Sequence, residues 1–473
     1  MKSFLRKKTK IVATIGPATE TQKQLEELFI AGVNVVRLNF SHNTHEWHLA
    51  VLERAKRAAK KQKKQIAILQ DLAGPKIRTG KLENDEKVEL IAGAKLVFTT
   101  KKVLGNANLI SINYKKLPHE VKRGDVLKIE DGKKSVLVNK TTDTEIFCTV
   151  ITGGFLGSNK GVNVPGVDLS ISSLTAKDKR DIVFGIENKV DYIALSFVQN
   201  KNDILGLRRI LDKGKSQAHI IAKIETEAAV RNIDEIIAVS DAIMVARGDM
   251  AIEIGAERVP QVQKMIIEKC NNIGKPVITA TQMLDSMEES PVPTRAEVSD
   301  IANAILDGTD AIMLSGETTI GKFPILAVET MTSISARTEP ENKNVDLEYF
   351  DDEMGTVDAI THSVVRIANN VRARLIVTLT EYGSTARMLA RFKPHHGIVA
   401  ITPHQKTANQ LVLTNGCRAV VMDMKNDIKK ITKSIQKMAL KKNWVNNGDK
   451  IVITMGSKFG EEGSTNTIFV IEI

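Results

Sequence analysis

Cysteine is scarce in this chain of 473 residues, which contains only three. Cys148, Cys270 and Cys417 are odd in number and far apart, a distribution that fits reduced thiols better than a disulfide framework or a Cys-x-x-Cys metal site. Reduced thiols are typical of the cytosol. We therefore expect a cytoplasmic protein.

Long apolar runs are also missing. No stretch approaches the roughly 20 apolar residues that a membrane-spanning helix needs. The N-terminal segment MKSFLRKKTKIVATIGP places a basic cluster before only a short apolar stretch, without the small-residue cleavage pattern of a signal peptide. We expect no membrane partner and no secretion signal.

Aromatic residues make up only 4% of the sequence, whereas its formal net charge is +11. A positive charge of this size is compatible with nucleic acid, an anionic membrane surface or small phosphorylated substrates. Because the sequence contains few aromatic residues and no recognisable nucleic-acid module, we expect no nucleic-acid partner. A generally basic solvated surface and attraction of phosphorylated substrates remain as interpretations.

The sequence does contain an alternation of short β-branched runs with helical patterns. KIVATIGP (10–17), VNVVRLNFS (33–41) and QIAILQDL (65–72) are separated by helical patterns near 20–31 and 44–62, which indicates a βαβαβ unit and a parallel sheet. From about 73 to 167, short strands alternate with Lys- and Gly-rich turns, and no convincing helix is found. This texture predicts a small inserted all-β domain.

The alternation resumes at SLTAKDKRDIVFGI and continues through YIALSFV, HIIAKIE, AIMVARGD, PVITATQM and AIMLSGE. Eight βα units predict an α/β protein with a TIM barrel, in which the β domain is inserted after the third strand. A polar stretch near 337–353 marks a boundary, and the strand and helix patterns beyond it predict a separate C-terminal α/β domain. The predicted domains are 1–72 and 168–340 for the barrel, 73–167 for the insertion and 354–473 for the C-terminal domain.

Polar residues end the apolar runs of the predicted barrel, where the catalytic residues of TIM barrels lie. The set is Arg37, Asn39, Ser41, Asp71, Lys223, Glu225, Arg247, Asp249, Thr281, Gln282, Ser315 and Glu317. Helix caps and ordinary strand ends explain part of it. Lys223 and Glu225 are harder to explain, because residues two apart on a strand point to one face, which in a barrel can be the interior mouth. They could simply pair with each other, or Glu225 could converge with Asp249 to hold one Mg²⁺.

Segments along the whole chain resemble the pyruvate kinase family. In order they are NVVRLNFSH, DLAGPKIRTG, SNKGVNVPG, AKIETEAAV, MVARGDM, ATQMLDSM, PTRAEVSDIANAILDGTDAIMLSGET and GSTNT. The ordered set with the same domain layout is highly specific. The resemblance implies transfer of the phosphoryl group of phosphoenolpyruvate to ADP, giving pyruvate and ATP, the last step of glycolysis.

The resemblance also implies roles for residues at the strand ends. Lys223 would stabilise the negative charge that grows on the enolate oxygen, and Glu225 and Asp249 would hold Mg²⁺ or Mn²⁺. Arg37 would grip the phosphoryl oxygens with its planar guanidinium. The substrate carboxylate would be held by the backbone from Ala246 through Gly248 to Asp249 and by the hydroxyl of Thr281.

Other implied roles concern the proton and the nucleotide. Thr281, Ser315 and Glu317 are the candidates for protonating the enolate through water. The nucleotide side would involve Asn39, His42, Arg78 and Lys160. Since Arg78 and Lys160 belong to the inserted β domain, this domain would close as a lid and expel water.

The sequence departs from the family at the position of a monovalent cation. Many pyruvate kinases need K⁺, bound by residues that match Asn39, Ser41, Asp71 and Leu72, and carry a glutamate where this chain has Lys76. A lysine ammonium can take the role of the cation near the phosphoryl group. We therefore expect activity that does not require K⁺. The alternative is that Lys76 points to solvent.

Two Gly/Ser/Thr-rich loops of the C-terminal domain, TEYGSTAR (380–387) and GEEGSTNT (460–467), each adjoin a strand. Backbone N–H groups of such loops can cradle phosphate, and the region resembles the family's pocket for phosphorylated allosteric effectors. Nearby glutamates favour a monophosphate over fructose 1,6-bisphosphate. The alternative is that both loops are ordinary turns. The candidate effector residues are Thr380, Gly383, Ser384, Thr385, Gly463, Ser464 and Thr465.

Three other functions remain open at this point. A TIM-barrel lyase could use Mg²⁺ on the same carboxylates to stabilise a pyruvate enolate, although it would not need the β lid. A catalytically inactive regulatory protein could retain the fold, and a basic nucleic-acid binder would show steep salt dependence. By resemblance we expect a homotetramer.

Overall fold

The first βα units of the chain build one side of a barrel. The computed structural model describes residues 7–341, 355–423, 428–456 and 465–473. The strands are buried on both faces, as expected for a parallel sheet covered by helices. Thr21 and Gln24 form a capping box that starts the first helix. The elements are β1 (Lys10–Thr14), α1 (Gln22–Ala31), β2 (Val35–Asn39), α2 (His45–Lys61) and β3 (Ala67–Asp71).

The inserted domain follows β3 and has its own apolar core, which includes Leu96, Phe98 and Val138. Its main sheet has six strands in the order β11-β7-β8-β9-β5-β6, and β10 pairs with β4 in a separate ribbon. The one-turn helix α3 is an addition to the sequence prediction. The elements are β4 (Val88–Leu90), β5 (Lys95–Thr99), β6 (Leu109–Ser111), α3 (Leu117–Glu120), β7 (Val126–Ile129), β8 (Lys134–Thr141), β9 (Glu145–Thr152), β10 (Gly154–Leu156) and β11 (Val162–Asn163).

The second run of βα units closes the barrel. All eight strands are parallel, in the order β1-β16-β15-β14-β13-β12-β3-β2, so the predicted TIM barrel is confirmed. The elements are α4 (Ala176–Glu187), β12 (Tyr192–Leu195), α5 (Lys201–Lys213), β13 (His219–Ile224), α6 (Glu227–Arg231), α7 (Ile233–Val239), β14 (Ala242–Ala246), α8 (Arg247–Ile254), α9 (Val259–Asn272), β15 (Val277–Ala280), α10 (Arg295–Leu306), β16 (Ala311–Leu314), α11 (Gly316–Thr319) and α12 (Pro324–Thr338).

The C-terminal α/β domain packs against the amino-terminal face of the barrel. Its sheet has the order β19-β18-β17-β20-β21, with β21 antiparallel to β20. Lys10 Nζ donates to the carbonyl of Cys417 at 2.7 Å, and Lys393 Nζ lies 3.0 Å from Asp310 Oδ1, so buried polar contacts join the two domains. The elements are α13 (Thr356–Asn370), β17 (Leu375–Leu379), α14 (Ser384–Ala390), β18 (Gly397–Thr402), α15 (Gln405–Gln410), β19 (Cys417–Val421), α16 (Ile428–Lys441), β20 (Lys450–Gly456) and β21 (Thr465–Glu472).

Two further features concern the cysteines and the helices. All three cysteines are free and buried. Among the residues described by the structure, no helix is both long and apolar enough to cross a bilayer.

Candidate active site

A chain of four charges, of which three are buried and Lys223 is largely buried, lies at the carboxyl ends of neighbouring barrel strands. Arg37 of β2 donates through Nε to Asp71 Oδ2 at 2.7 Å, and Asp71, the last residue of β3, lies 3.3 Å from Lys223 Nζ through its Oδ1. Lys223 of β13 in turn lies 2.9 Å from Glu225 Oε1. The sequence-based alternative that Lys223 and Glu225 pair with each other is therefore part of the arrangement. Positive and negative groups alternate, so each buried charge has an opposite neighbour.

The charges shift one another's pKa values. Burial alone would raise the pKa of Asp71, but Lys223 and Arg37 outweigh it and hold that pKa below its usual value. Burial alone would lower the pKa of Lys223, yet Asp71 and Glu225 raise it above its usual range. Lys223 is therefore a permanent cation at the mouth of the barrel, in a place where little water screens its charge.

Ser196 completes the environment of Lys223, and sequence reasoning missed it. Its hydroxyl accepts from Lys223 Nζ at 2.7 Å and donates to the carbonyl of Leu72 at 2.8 Å. With Asp71 and Glu225, Ser196 gives the three N–H donors of the ammonium three acceptors. The only sequence signal was its position at the end of an apolar run, in ALSF, where Ser196 directly follows β12.

Glu225 and Asp249 form the candidate metal site. Glu225 is 1% exposed, and its Oε2 accepts from the backbone N–H of Phe197 at 2.7 Å. Burial raises the pKa of Glu225, Lys223 opposes the rise, and the negative charge of Asp249 adds to it. A cation between two carboxylates relieves this repulsion, and their oxygen donors suit Mg²⁺ or Mn²⁺. Mg²⁺ usually keeps several waters and binds to one or two carboxylates together with substrate oxygens, so two carboxylates would suffice here. No cluster of three or more His, Cys, Asp or Glu side chains suited to a metal occurs among the described residues.

The turn that follows β15 faces the start of α8. The backbone N–H of Gly248 donates to Thr281 Oγ1 at 2.8 Å. Thr281 has a φ of +70°, an uncommon conformation for a β-branched residue that marks local strain. Arg247 holds the turn by donating to the carbonyl of Thr281 at 2.7 Å while it pairs with Asp300 at 2.7 Å. Thr281 lines one cleft together with Arg37, Lys223, Glu225, Ala246 and Asp249.

Ser315 and Glu317 follow β16, the strand next to β15. Glu317 is 2% exposed, and its carboxylate accepts from the backbone N–H groups of Ser315 at 2.7 Å and Leu284 at 3.0 Å. Burial raises the pKa of Glu317 despite these hydrogen bonds. A carboxyl group with a raised pKa exchanges protons more readily near neutral pH, which is the property that a proton relay needs.

The predicted nucleotide residues lie at the rim of the cleft and on the lid. Asn39 lines the cleft, and His42 is exposed on the loop that follows β2. On the lid, Arg78 donates to the carbonyl of Asn159 at 3.1 Å, and Lys160 Nζ lies 3.1 Å from a carboxylate oxygen of Glu130. Both lid cations therefore contact groups of the lid itself in this conformation.

The lid is fastened to the barrel through the far end of α8. Lys128 Nζ donates to the carbonyl of Ile252 at 2.6 Å, and Asn163 Nδ2 donates to Glu253 Oε1 at 3.1 Å. Gly248 and Asp249 lie in the first turn of the same helix. One short helix thus connects the lid to the candidate metal site.

The predicted monovalent-cation region is already rich in hydrogen bonds. Asn39 Oδ1 accepts a hydrogen bond from the backbone N–H of Ser41 at 3.1 Å. The carbonyl of Leu72 accepts one from the hydroxyl of Ser196. The two oxygens of Asp71 face the cations of Arg37 and Lys223. Lys76 is exposed, but it lines the cleft, with Nζ 5.8 Å from the centre of the Phe197 ring. It therefore borders the cleft and does not simply extend into bulk solvent.

The loop after β17 contains most of the described effector candidates. Gly383 has a φ of +88°, and its N–H donates to Thr380 Oγ1 at 2.9 Å; Ser384 begins α14. The hydroxyls of Thr385 and Thr465 lie 2.7 Å apart, so the structure brings the two predicted loops together at this point. Gly463 and Ser464 lie outside the described residues.

The barrel and the groups at its mouth define a class of protein. A lysine, an arginine and two carboxylates at the carboxyl ends of (β/α)₈ strands are the groups of an enzyme that handles an anionic substrate with a divalent cation. The family models for the pyruvate kinase barrel domain and the pyruvate kinase alpha/beta domain match residues 6–328 and 358–471. The chain belongs to the pyruvate kinase family and is a phosphotransferase.

Similar proteins extend along nearly the whole chain. Pyruvate kinases of Geobacillus stearothermophilus and Bacillus licheniformis are 45% and 46% identical to it, each covering 98% of this chain and 80% of the relative. The crystal structure of a pyruvate kinase from Cryptosporidium parvum superposes with a TM-score of 0.92 at 37% identity, covering 99% of this chain and 96% of that one.

His48 of α2 supports the loop that contains His42. Its ring stacks on Phe40 at 4.0 Å between centroids, and its Nε2 lies 3.0 Å from the carbonyl oxygen of His42, to which it donates in the Nε2–H form. Burial lowers the pKa of His48 to about 4. The ring is therefore neutral at neutral pH and can hold this hydrogen bond without a buried charge.

Loss of the Ser196 hydroxyl should slow turnover. Ser196→Ala removes one of three acceptors of Lys223, so the ammonium is less firmly placed, and we expect kcat to fall about tenfold with a smaller change in KM. Steady-state kinetics would measure this effect. Ser196→Thr, which keeps a hydroxyl, should recover much of the loss. Ser240→Ala removes another buried hydroxyl, which donates to the carbonyl of Ile236, and serves as the control. Equal kcat values for Ser196→Ala and Ser240→Ala would contradict the role of Ser196.

His48 should make stability depend on pH. Unfolded histidine binds its proton near pH 6.5, whereas folded His48 does so only near pH 4. Between these values the unfolded state holds more protons, so the free energy of unfolding falls as pH falls. When the pH falls from 7 to 5, the free energy of unfolding should fall in both proteins. We expect this fall to be about 1 kcal/mol smaller in His48→Gln than in the parent. Thermal melting at both pH values tests this, with the exposed His119→Gln as control. The same fall in melting temperature in the parent, His48→Gln and His119→Gln would refute the prediction.

Proposed function

We propose that this chain transfers the phosphoryl group of phosphoenolpyruvate to ADP, giving pyruvate and ATP in the last step of glycolysis. The observation that carries the proposal is the ammonium of Lys223, buried at the mouth of the barrel beside Glu225 and near Asp249. Transfer of the phosphoryl group leaves negative charge on the enolate oxygen. A fixed cation in a site with little water stabilises this charge more in the transition state than in the substrate.

Arg37 and the turn after β15 would hold the two ends of the substrate. Arg37 is oriented by Asp71 and by Thr14, whose Oγ1 accepts at 2.7 Å, so its planar guanidinium has a fixed direction toward the phosphoryl oxygens. The hydroxyl of Thr281 and the backbone from Ala246 through Gly248 to Asp249 would bind the carboxylate. The hydrogen bond from the Gly248 N–H to Thr281 Oγ1 places these two groups beside each other, which supports the role. To bind the carboxylate, the Gly248 N–H would leave Thr281, and the Thr281 hydroxyl would leave the carbonyl of Ala280.

Glu225 and Asp249 would hold Mg²⁺ or Mn²⁺, which would supply positive charge to the substrate carboxylate, the enolate oxygen and the transferring phosphoryl group. The N–H of Phe197 fixes one oxygen of Glu225, and Asp249 lies in the first turn of α8 beside the same cleft.

The enolate must then gain a proton on carbon to become pyruvate. We propose that the proton passes through water and the group formed by Thr281, Ser315 and Glu317. The raised pKa of Glu317 and the position of these residues after neighbouring strands support this assignment.

We propose that the nucleotide binds between Asn39 and His42 on the barrel and Arg78 and Lys160 on the lid. When the lid closes, Lys160 would exchange Glu130 for a phosphate oxygen of ADP. Closure would exclude water, which strengthens every charge interaction in the cleft.

The remaining proposals concern regulation, assembly and location. We propose a homotetramer in the cytoplasm, regulated by a phosphorylated effector near the paired hydroxyls of Thr385 and Thr465. Three buried free cysteines support a reducing compartment. Glu381 next to this loop favours a ligand with few negative charges.

We further propose that activity does not require K⁺. The oxygens of Asn39, Leu72 and Asp71 that would bind the ion already accept hydrogen bonds or face cations, and Lys76 borders the same cleft. An ammonium at Lys76 can supply the missing positive charge near the phosphoryl group.

The central test is pyruvate formation from phosphoenolpyruvate, ADP and Mg²⁺ in a coupled assay. We expect turnover by the parent and a loss of about 10³-fold in kcat for Lys223→Ala, the scale seen when a preorganised group at the reacting oxygen is removed. Lys201→Ala removes a surface lysine paired with Glu235 and is the control. Absence of pyruvate formation with Mg²⁺ and with Mn²⁺ would overturn the proposed function.

The Lys76 proposal has a separate test. At constant ionic strength, replacing K⁺ by tetramethylammonium should change parent turnover by less than about twofold. Lys76→Glu should be slow without K⁺ and be activated by it, because a carboxylate restores a ligand that attracts the ion. Lys76→Gln should be slow with either cation. A parent enzyme that is inactive without K⁺ would refute the proposal and leave the proposed reaction intact.

A further inference from the structure

A second cavity lies on the face of the barrel opposite the catalytic cleft, where the C-terminal domain packs. Its volume is about 310 Å³, at the lower end of the roughly 300–1,000 Å³ of small-molecule sites. The barrel wall includes Arg208, His219 and Asp241, and the wall from the C-terminal domain includes Tyr382 and His404. None of these residues belongs to the candidate active site, and Tyr382 lies in the loop 380–387 that also contains the effector candidates.

The wall from the C-terminal domain carries a prearranged aromatic pair. The rings of Tyr382 and His404 stack with centroids 5.6 Å apart and 10° between their planes. His404 Nε2 lies 2.6 Å from Glu381 Oε1, which holds its ring in place. Tyr382 nevertheless remains 48% exposed, a large fraction for a ring at a domain boundary. A fixed, half-exposed ring offers a surface on which another planar group can stack.

The charges around the cavity disfavour a strongly anionic ligand. Arg208 donates to Asp241 Oδ2 at 2.6 Å, and Lys406 Nζ lies 3.1 Å from Asp191 Oδ1. The two Lys and Arg side chains among the described lining residues thus both have a carboxylate partner. A phosphate group would have to compete with these carboxylates, whereas an uncharged ligand would not.

The barrel wall supplies a neutral hydrogen-bonding ring. Burial lowers the pKa of His219 to about 4, so at neutral pH its imidazole has one donor and one acceptor. The ring packs edge-on against Tyr192, with centroids 5.7 Å apart, and this contact fixes its direction. A planar ligand stacked on one wall can therefore meet a donor and an acceptor on the other wall.

We propose that this cavity binds a nucleoside through its base, which stacks on Tyr382 and meets the imidazole of His219 with its polar edge. A nucleobase is planar, uncharged at neutral pH and bears both donors and acceptors. A sugar phosphate lacks the planar face and brings the charge for which the cavity has no unpaired cation. The site is separate from the nucleotide position proposed at the lid and does not depend on it.

Adenosine and uridine titrations of the full chain test the proposal by isothermal titration calorimetry. We expect saturable binding of both nucleosides, and affinity that changes little with salt. Tyr382→Leu should weaken it about tenfold because the stacking surface is lost, whereas the matched Tyr382→Phe should weaken it about threefold or less.

A second variant separates binding from folding. His219→Phe keeps an aromatic ring against Tyr192 but removes both ring nitrogens. We expect about fivefold weaker nucleoside binding and an unchanged melting temperature. The proposal is overturned if no saturable binding occurs or if Tyr382→Leu binds like the parent. It is also overturned if inorganic phosphate displaces adenosine in a strongly salt-dependent manner, since the ligand would then be recognised as an anion.

Discussion

The buried series of charges from Arg37 through Asp71 and Lys223 to Glu225 is the constraint on which the rest of this site depends. Each member would be costly in the barrel interior alone, and each is tolerated because its neighbours have the opposite sign. Well-packed apolar residues would give comparable stability in such a place. The series is therefore best explained by the chemistry that a permanently charged lysine permits at the barrel mouth.

The order of strands in the barrel produces this series. β12 lies between β3 and β13, so Ser196, which directly follows β12, meets both the backbone after β3 and the ammonium of β13. β14 is the next neighbour of β13 and leads into α8, which brings Asp249 toward Glu225. Adjacent parallel strands thus place Lys223, its acceptors and the carboxylate of Asp249 at one end of the barrel without any long loop.

The sequence alone predicted the barrel, which the structure confirms. It also singled out Lys223, Glu225 and Asp249, which line one cleft and whose roles stay predictions. Apolar runs ended by polar residues revealed the strands, and the spacing of two placed Lys223 and Glu225 on one face. Ser196 was missed because its partners lie on strands that are distant in sequence, and one of them precedes the whole inserted domain. Lys160 was expected at the nucleotide, and its contact with Glu130 depends on the packing of the lid, which local patterns do not encode.

Helix α8 links the inserted β domain to the candidate metal site. Its first turn contains Gly248 and Asp249, and its last turn accepts Lys128 and Asn163 of the lid. A helix of eight residues spans only about 12 Å, so the contacts with the inserted domain lie within about 12 Å of Asp249. If this domain moves as proposed, Lys128 and Asn163 make the contacts through which its motion would reach Asp249. By linkage, a cation held at Asp249 would then also bias the position of the domain.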